Sequence, residues 1–240
     1  MAEHLASIFG TERDKVNCPF YFKIGACRHG DRCSRTHNKP LFSQTIMFEN
    51  MYRSVSQIRE AAIAQGLPPP EISHEEATYH FDDFFEDVWD EMSKFGKVEE
   101  MHVCENLSEH LAGNTYVKFS DEEAAQNALK HSKGRWYAGR PVKVEYSPVT
   151  DFRESKCRPF EVGECDRGDY CNFMHIRKLS EDLYYKVRGR GRSRYRYEDP
   201  PYNERGSSYR DSYQKRSYRD TGDGWMEERQ RKRRREIEAS

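Results

Sequence analysis

The sequence predicts an α+β fold: a ferredoxin-like β-α-β-β-α-β domain set between two small metal-bound modules, with a disordered basic tail behind them. Three observations carry that reading. First, two stretches repeat one pattern, Cys18-x8-Cys27-x5-Cys33-x3-His37 and Cys157-x7-Cys165-x5-Cys171-x3-His175. Second, between them lies a segment, Leu41 to Ser147, whose apolar residues switch between alternation and spacings of three and four, the marks of strands and helices. Third, charge is segregated. Residues 71–125 hold 16 acids against 3 bases, residues 186–240 hold 17 bases against 10 acids, and residues 1–40 hold 7 bases against 4 acids. The chain therefore divides into an N-terminal segment with the first module (1–40), a central domain (41–147), the second module with a following helix (148–187), and the tail (188–240).

Three thiolates and one imidazole form a closed tetrahedral set, which holds Zn²⁺ structurally and leaves no open position for a substrate or an activated water. Two structural zinc ions are expected, one on Cys18, Cys27, Cys33 and His37, the other on Cys157, Cys165, Cys171 and His175. Unrelated buried thiols or a disulfide framework would explain the intervals less well. Six of the seven cysteines fall in the two patterns, Gly25 and Gly163 each precede the second cysteine by two, and both copies place Gly-Asp (Gly30-Asp31, Gly168-Asp169) before the third. Cys104, in an apolar strand-like run, reads as a small core hydrophobe. The opening MAEHLASIFG has neither a basic region nor a long apolar stretch, so no secretory leader is expected. Reduced, metal-bound thiols point to a nuclear or cytosolic setting.

In the central segment, Gln44–Met51 reads as a first strand. A polar, proline-broken insertion follows from Tyr52 to about Ser73, with one helical turn around Ile58 to Ala64. A long helix from about Glu75 to Phe95 carries Phe81, Phe84, Phe85, Val88, Met92 and Phe95 on one side. Val98–Cys104 and Gly113–Phe119 are the next strands. Ser120-x-x-Glu123 reads as a capping box for a second helix bearing Ala124, Ala125, Ala128 and Leu129, and Pro141–Tyr146 alternates as the last strand. This is the element order of an RNA recognition motif. Its third strand, Ala112 to Phe119, departs from the nucleotide-binding consensus of that fold. Ala112 stands where a phosphate-binding base belongs and Asn114 where an aromatic would stack on a base, so the sheet is expected to be a poor RNA surface. Tyr116 remains, as a base contact or as an ordinary strand aromatic.

The degenerate strand, the Arg135-Trp136-Tyr137 stretch in KGRWYAGRPV and the acidic first helix together resemble a U2AF homology motif, a variant of the fold that binds a peptide in place of RNA. Beyond this domain, the opening MAEHLASIFGTERDKVNCPFYFKIGACRHGDRCSR and the stretch SPVTDFRE resemble the U2AF small-subunit family of splicing factors through residue 187 or so. The resemblance implies a nuclear, non-enzymatic protein that recognises the AG at the 3′ end of introns in early spliceosome assembly. It also implies pairing with a large subunit, whose tryptophan-bearing basic peptide is gripped by Arg135, Tyr137 and the acidic helix. Asp83, Glu86, Asp87 and Asp90 are the acids assigned to that peptide, and Trp136 is the anchor inserted into the partner. Tyr137 replaces the family's phenylalanine, keeping a ring and adding a hydroxyl. The tail, RGRGRSRYRY and RQRKRRRE, has few of the family's Arg-Ser steps; its composition reads as disordered, and contact with Arg-Ser-rich splicing factors is expected of it.

Fingers of this class bind unpaired RNA by inserting flat side chains between bases. His29 and Arg35, and in the second finger Arg167 and Phe173, lie two residues past the second and third cysteines. Guanidinium and imidazole planes stack as rings do. Phe20, Phe22 and Phe160 are either base contacts or filler around the metal, and Arg28, Arg32 and Arg158 either meet phosphates or are solvated. Two other classes weigh less. An adaptor in mRNA turnover or 3′-end processing would explain the fingers but not the acidic helix beside Arg-Trp-Tyr. An enzyme would need paired carboxylates in an apolar pocket, a nucleophile with its base, or a phosphate-cradling glycine loop, and the sequence offers none.

Overall fold

The structure, a computed structural model, describes residues 16–190, with side chains through Val187. The opening segment and the tail expected to be disordered lie outside the described residues from 1 to 15 and from 191 onward. Four strands form one antiparallel sheet: β1 (Thr45–Phe48), β2 (Val98–Val103), β3 (Thr115–Phe119) and β6 (Val144–Tyr146), in the order β2-β3-β1-β6. Helices α3 (His74–Met92) and α4 (Glu122–Ser132) cover one face, giving the ferredoxin-like order. β4 (Trp136–Tyr137) and β5 (Arg140–Pro141) make a separate two-stranded hairpin. The expected single strand over Pro141–Tyr146 is thus split between the hairpin and the sheet.

Local chemistry explains the elements. Ser73 caps α3 by accepting from the Glu76 N–H while Glu76 reaches back to the Ser73 N–H. Phe81, Phe84, Phe85, Val88 and Met92 on this helix meet Ile46, Phe48, Val117 and Phe119 of the sheet and Ala125, Ala128 and Leu129 of α4 in one core. Phe95, expected on the same helix, lies just beyond its end and packs against the core half-buried. Trp89 is buried too and stacks on Phe85, with ring centroids 6.1 Å apart. The cap of α4 is Asp121, which accepts from the Ala124 N–H at 2.8 Å, and not the expected Ser120. The Ser120 hydroxyl instead donates to the Asp121 carboxylate at 3.0 Å. The insertion holds more order than one turn: a second capping box, Ser54 with Gln57, starts the ten-residue helix α2 (Val55–Ala64).

The sheet's other face is buried as well. Tyr116, Met47, Cys104 and Leu111 pack there with Ile24 and Ala26 of the first finger and with Val149, Phe152, Met174 and Ile176 of the linker and second finger. The Tyr116 hydroxyl donates to the Ile24 carbonyl at 2.8 Å. Helix α1 (Pro19–Ile24) presents that carbonyl, and α1 ends at Gly25, whose φ of 74° is left-handed. A Cβ there would come within 2.5 Å of the Ser147 hydroxyl and 3.3 Å of the Tyr116 ring. After the second finger's short helix α5 (Arg158–Glu161), the chain ends its described part in α6 (Glu181–Arg190). Leu183 and Val187 of α6 join the main core, and Lys186 is ion-paired with Glu86 of α3.

Two outcomes follow. Gly25→Ala is expected to destabilise the docked protein by about 1–3 kcal/mol, from left-handed strain plus the clash with Ser147, read as a lower midpoint in urea unfolding. His102, buried against Phe152 with its Nε2 3.0 Å from the Glu100 carboxylate, is held neutral by burial, which pushes its pKa from 6.5 down to about 4. Because the unfolded histidine takes a proton first, stability is full above pH 6.5 and falls as pH drops from there toward 4. A His102→Phe variant is expected to flatten that decline in unfolding midpoints measured across the window.

Candidate functional site

The four ligand atoms of each finger lie within 4.8 Å of one another. In the first, α1 places Cys18 at its N-cap, the turn Gly30–Arg32 sets Cys27 and Cys33 on either side, and a parallel bridge from Asn17 to Thr36 brings His37 round. The second repeats this with α5, the turn Gly168–Tyr170 and a bridge from Lys156 to Met174. Sulfur separations are 3.9 Å for Cys27 to Cys33, 3.6 Å for Cys157 to Cys165 and 3.8 Å for Cys157 to Cys171. A tetrahedron of thiolates at about 2.3 Å from zinc has edges of about 3.8 Å, so the spacing fits. The Nε2 of His37 and both ring nitrogens of His175 are buried without hydrogen-bond partners, as expected where one nitrogen of each ring turns to a cation. Backbone N–H groups of Tyr21, Arg35 and Phe173 point at Cys18, Cys33 and Cys171 from 3.4 to 3.5 Å, support that a thiolate needs. The Arg35 N–H holds the Cys33 thiol below its usual range, whereas burial pushes Cys27 and Cys157 up to about 11. Those two thiols would keep their protons at neutral pH without a metal to displace them.

Each ligand histidine is stacked on a ring from its own short helix: Tyr21 on His37 at 4.5 Å, Phe160 on His175 at 3.9 Å. Phe160 is half-buried with one face packed on the ligand histidine, the filler role expected for it as the alternative to base contact. Its counterpart is Tyr21, three residues past the first cysteine, and not Phe20. Phe20 is 40% exposed and meets Phe173 of the other finger edge-on at 6.2 Å, and Arg167 lies over the same Phe173 ring at 5.5 Å while donating to the Cys157 sulfur at 3.7 Å. These three of the sequence-derived contacts come together across the two fingers. Arg28, His29, Arg35 and Arg158 are exposed on their own fingers, as is Phe22. Tyr116, by contrast, is fully buried beneath the fingers and has no access to RNA.

The loop after β2 locks the second finger in place. Asn106, fully buried, donates to the Cys171 and Phe173 carbonyls at 3.2 and 3.1 Å and accepts from the His175 N–H at 2.8 Å. Nothing in the local sequence marks it; an asparagine in a polar loop reads as a turn residue until the loop's neighbour is known.

On the opposite side, Phe48, Met51, Val88, Met92, Ser132 and Val142 line a narrow apolar cleft between α3, α4 and the hairpin. Arg135 closes its mouth with an ion pair to Glu91 at 2.7 Å, and that pair, with Lys94, holds Glu91 below its usual range against the opposing effect of burial. Tyr137 leans on Phe84 with ring centroids 5.7 Å apart, half-buried, while Trp136 stands 62% exposed at the start of the hairpin. Asp83 and Asp90 are exposed and Asp87 is half-buried. Glu86 differs from expectation: it is buried beneath α6 and paired with Lys186, so it is not available to a partner peptide. Glu91, five residues further on, is the acid that lines the cleft.

Residues 14–39 match the zinc finger family of C-x8-C-x5-C-x3-H type (and similar), and residues 86–143 match the RNA recognition motif family. The chain is 53% identical over 218 residues to the splicing factor U2AF 26 kDa subunit of Bos taurus, covering 90% of this chain and 96% of that one. It belongs to the U2AF small-subunit family of splicing factors. Other members at similar distance are the U2af 38 kDa subunit of Drosophila melanogaster, 55% identical over 197 residues (80% of this chain, 74% of that one), and the U2AF 26 kDa subunit of Homo sapiens, 51% identical over 226 residues (94% and 98%). The family is one of RNA-binding splicing proteins and not an enzyme family. The zinc-finger match and the two Cys3His sets agree on zinc as the metal.

Asn106→Leu is expected to leave the Cys171 and Phe173 carbonyls and the His175 N–H unsatisfied, costing about 1–3 kcal/mol. Faster hydrogen exchange at the His175 amide, with the α3 amides unchanged, is the readout.

Proposed function

We propose that this chain is the small subunit of a nuclear U2AF-type heterodimer. Its two fingers, each with one zinc ion, act as a single surface for the AG of the 3′ splice site, and its central domain takes a basic, tryptophan-bearing peptide of the large subunit. One observation carries the division of labour: the sheet face that an RNA recognition motif would offer to bases is sealed by the fingers. RNA is thereby left to the finger surface, where Phe20, Phe173 and Arg167 meet and Arg28, His29, Arg35 and Arg158 are exposed. The helix face, with the cleft, Trp136 and the acids Asp83, Asp87 and Asp90, is left to the partner. The tail, outside the described residues, is the segment assigned to Arg-Ser-rich factors.

The cleft is too tight for an indole as it stands, so entry requires Arg135 to swing off Glu91. A basic residue of the peptide then replaces Arg135 at Glu91, and the apolar lining takes the ring. Aromatic burial supplies most of the affinity, and exposed acids mainly speed the approach.

Exposed finger residues are expected to matter for RNA without touching the fold. Arg35→Ala and His29→Ala are each expected to weaken binding of a labelled single-stranded AG oligonucleotide by about 1–3 kcal/mol, the cost of a lost stack. Unchanged affinity in both would remove them from the RNA surface. For the partner, Trp136→Ala is expected to raise the off-rate of the large subunit until no complex survives gel filtration. Asp83→Lys with Asp87→Lys is expected chiefly to slow association, by less at high salt. A Trp136→Ala protein that still pairs normally would return the reading to a finger-type adaptor of mRNA turnover.

A further inference from the structure

The groove assigned to the partner's tryptophan has a second candidate occupant within the same chain. Of the three tryptophans, Trp89 is buried in the core and Trp136 belongs to the hairpin. The third, Trp225, lies in the tail in the stretch GDGWMEERQRKRRRE, and six of the seven residues from Arg229 to Arg235 are basic. The chain thus carries, outside its described part, the chemistry the proposed function gives the groove's ligand: one indole with a run of positive charge four residues on.

The structure shows where that segment starts. Helix α6 lies against α3, with Lys186 already paired to Glu86, so the basic C-terminal part of the chain leaves from the acidic helix itself. Glu86 is five residues before Glu91 on α3, less than 8 Å along an α-helix rising about 1.5 Å per residue. Thirty-four residues lie between Arg190 and Trp225, and a chain of that length spans about 30 Å even as a coil, more than enough to return to the cleft. The charges also match in order. With the indole in the cleft between Val88, Met92 and Arg135, the run at 229–235 begins four residues away and has the reach to lie along Asp90, Asp87 and Asp83. A neighbouring cavity of about 220 Å³ is lined by the cations Arg140 and Lys143 as well as by Glu49, and Arg140 and Lys143 offer partners to the acids beside the indole, Asp223, Glu227 and Glu228.

We infer that Trp225 and the basic run after it fold back onto the groove of the same molecule and hold it closed against other tryptophan peptides until the large subunit displaces them. This rests on the groove being a tryptophan-peptide site. A tethered segment at an effective concentration on the order of 1 mM, against a groove affinity on the order of 0.1 mM, leaves about one groove in ten open.

The test uses the full chain and a fluorescent synthetic peptide of unrelated sequence, one tryptophan flanked by arginines, with its Trp→Ala version as the blank. Trp225→Ala is expected to tighten anisotropy-measured binding of the tryptophan peptide by about tenfold, at every protein concentration. Reversing Arg231, Lys232, Arg233 and Arg234 to glutamate is expected to do the same in part. Equal binding to wild type and both variants overturns the inference and leaves the groove reading standing. Binding to neither wild type nor variants defeats the groove reading, and the inference with it. A gain seen only at concentrations where sedimentation shows wild-type dimers places the tail in a second copy's groove and overturns closure within one chain.

Discussion

Everything else in the molecule rests on the apolar seam between the fingers and the outer face of the sheet. Ile24, Tyr116, Phe152 and Met174 are each almost fully buried there, and burial of side chains of this size contributes on the order of 2 kcal/mol apiece. The fingers, too small to build cores of their own, borrow one from the sheet; the sheet gives up its exposed face in return. The Tyr116 hydroxyl, which would be costly to bury alone, finds the last free carbonyl of α1, and burial holds its pKa well above the usual range. One seam thus sets both finger position and the loss of the ordinary RNA surface.

Fingers and seam depend on each other. The fingers present Ile24 on one side and Met174 and Ile176 on the other. The Asn106 loop in turn fixes the backbone around Cys171 and His175, so the second metal centre is partly a product of the central domain. The same domain is finished on its other face by α6, whose Leu183 and Val187 complete the packing around α3. Three segments distant in sequence therefore share a single folded unit.

The parts legible in the sequence were those governed by local rules. Cysteine spacing, the periodic apolar face of α3 and the alternation of the strands all speak within a window of twenty residues. The departures at Ala112 and Asn114 fall on a sheet face that the structure shows buried. The reason was visible only in three dimensions: Asn114 is buried, accepting from the Asn50 N–H and donating to the His110 carbonyl, as part of the frame beneath the fingers. What local reading could not supply came from contacts between distant segments. Spacing alone does not show that Phe160 packs flat on His175. Glu86 is grouped with the peptide-facing acids in the sequence because Lys186, its ion-pair partner, lies a hundred positions on. Asn106 carried no signal at all. The boundary of the last strand failed for another reason: the left-handed residues Ala138 and Gly139 turn the chain into a hairpin, and Ala138 is a residue type that gives no warning of it.

The seam also dictates an order of events during synthesis. The first finger's carbonyl at Ile24 waits for a hydroxyl 92 residues later, and the Lys23 carbonyl for the Ser155 hydroxyl 132 residues later. A ribosome adding roughly 5–20 residues per second presents the second of these only after many seconds. The first finger is made first but can dock only after the sheet and the linker that meet it have been made. In the interval Ile24 has no core to enter, and whatever shields it then, metal within or a chaperone without, governs how much of the protein reaches its working form.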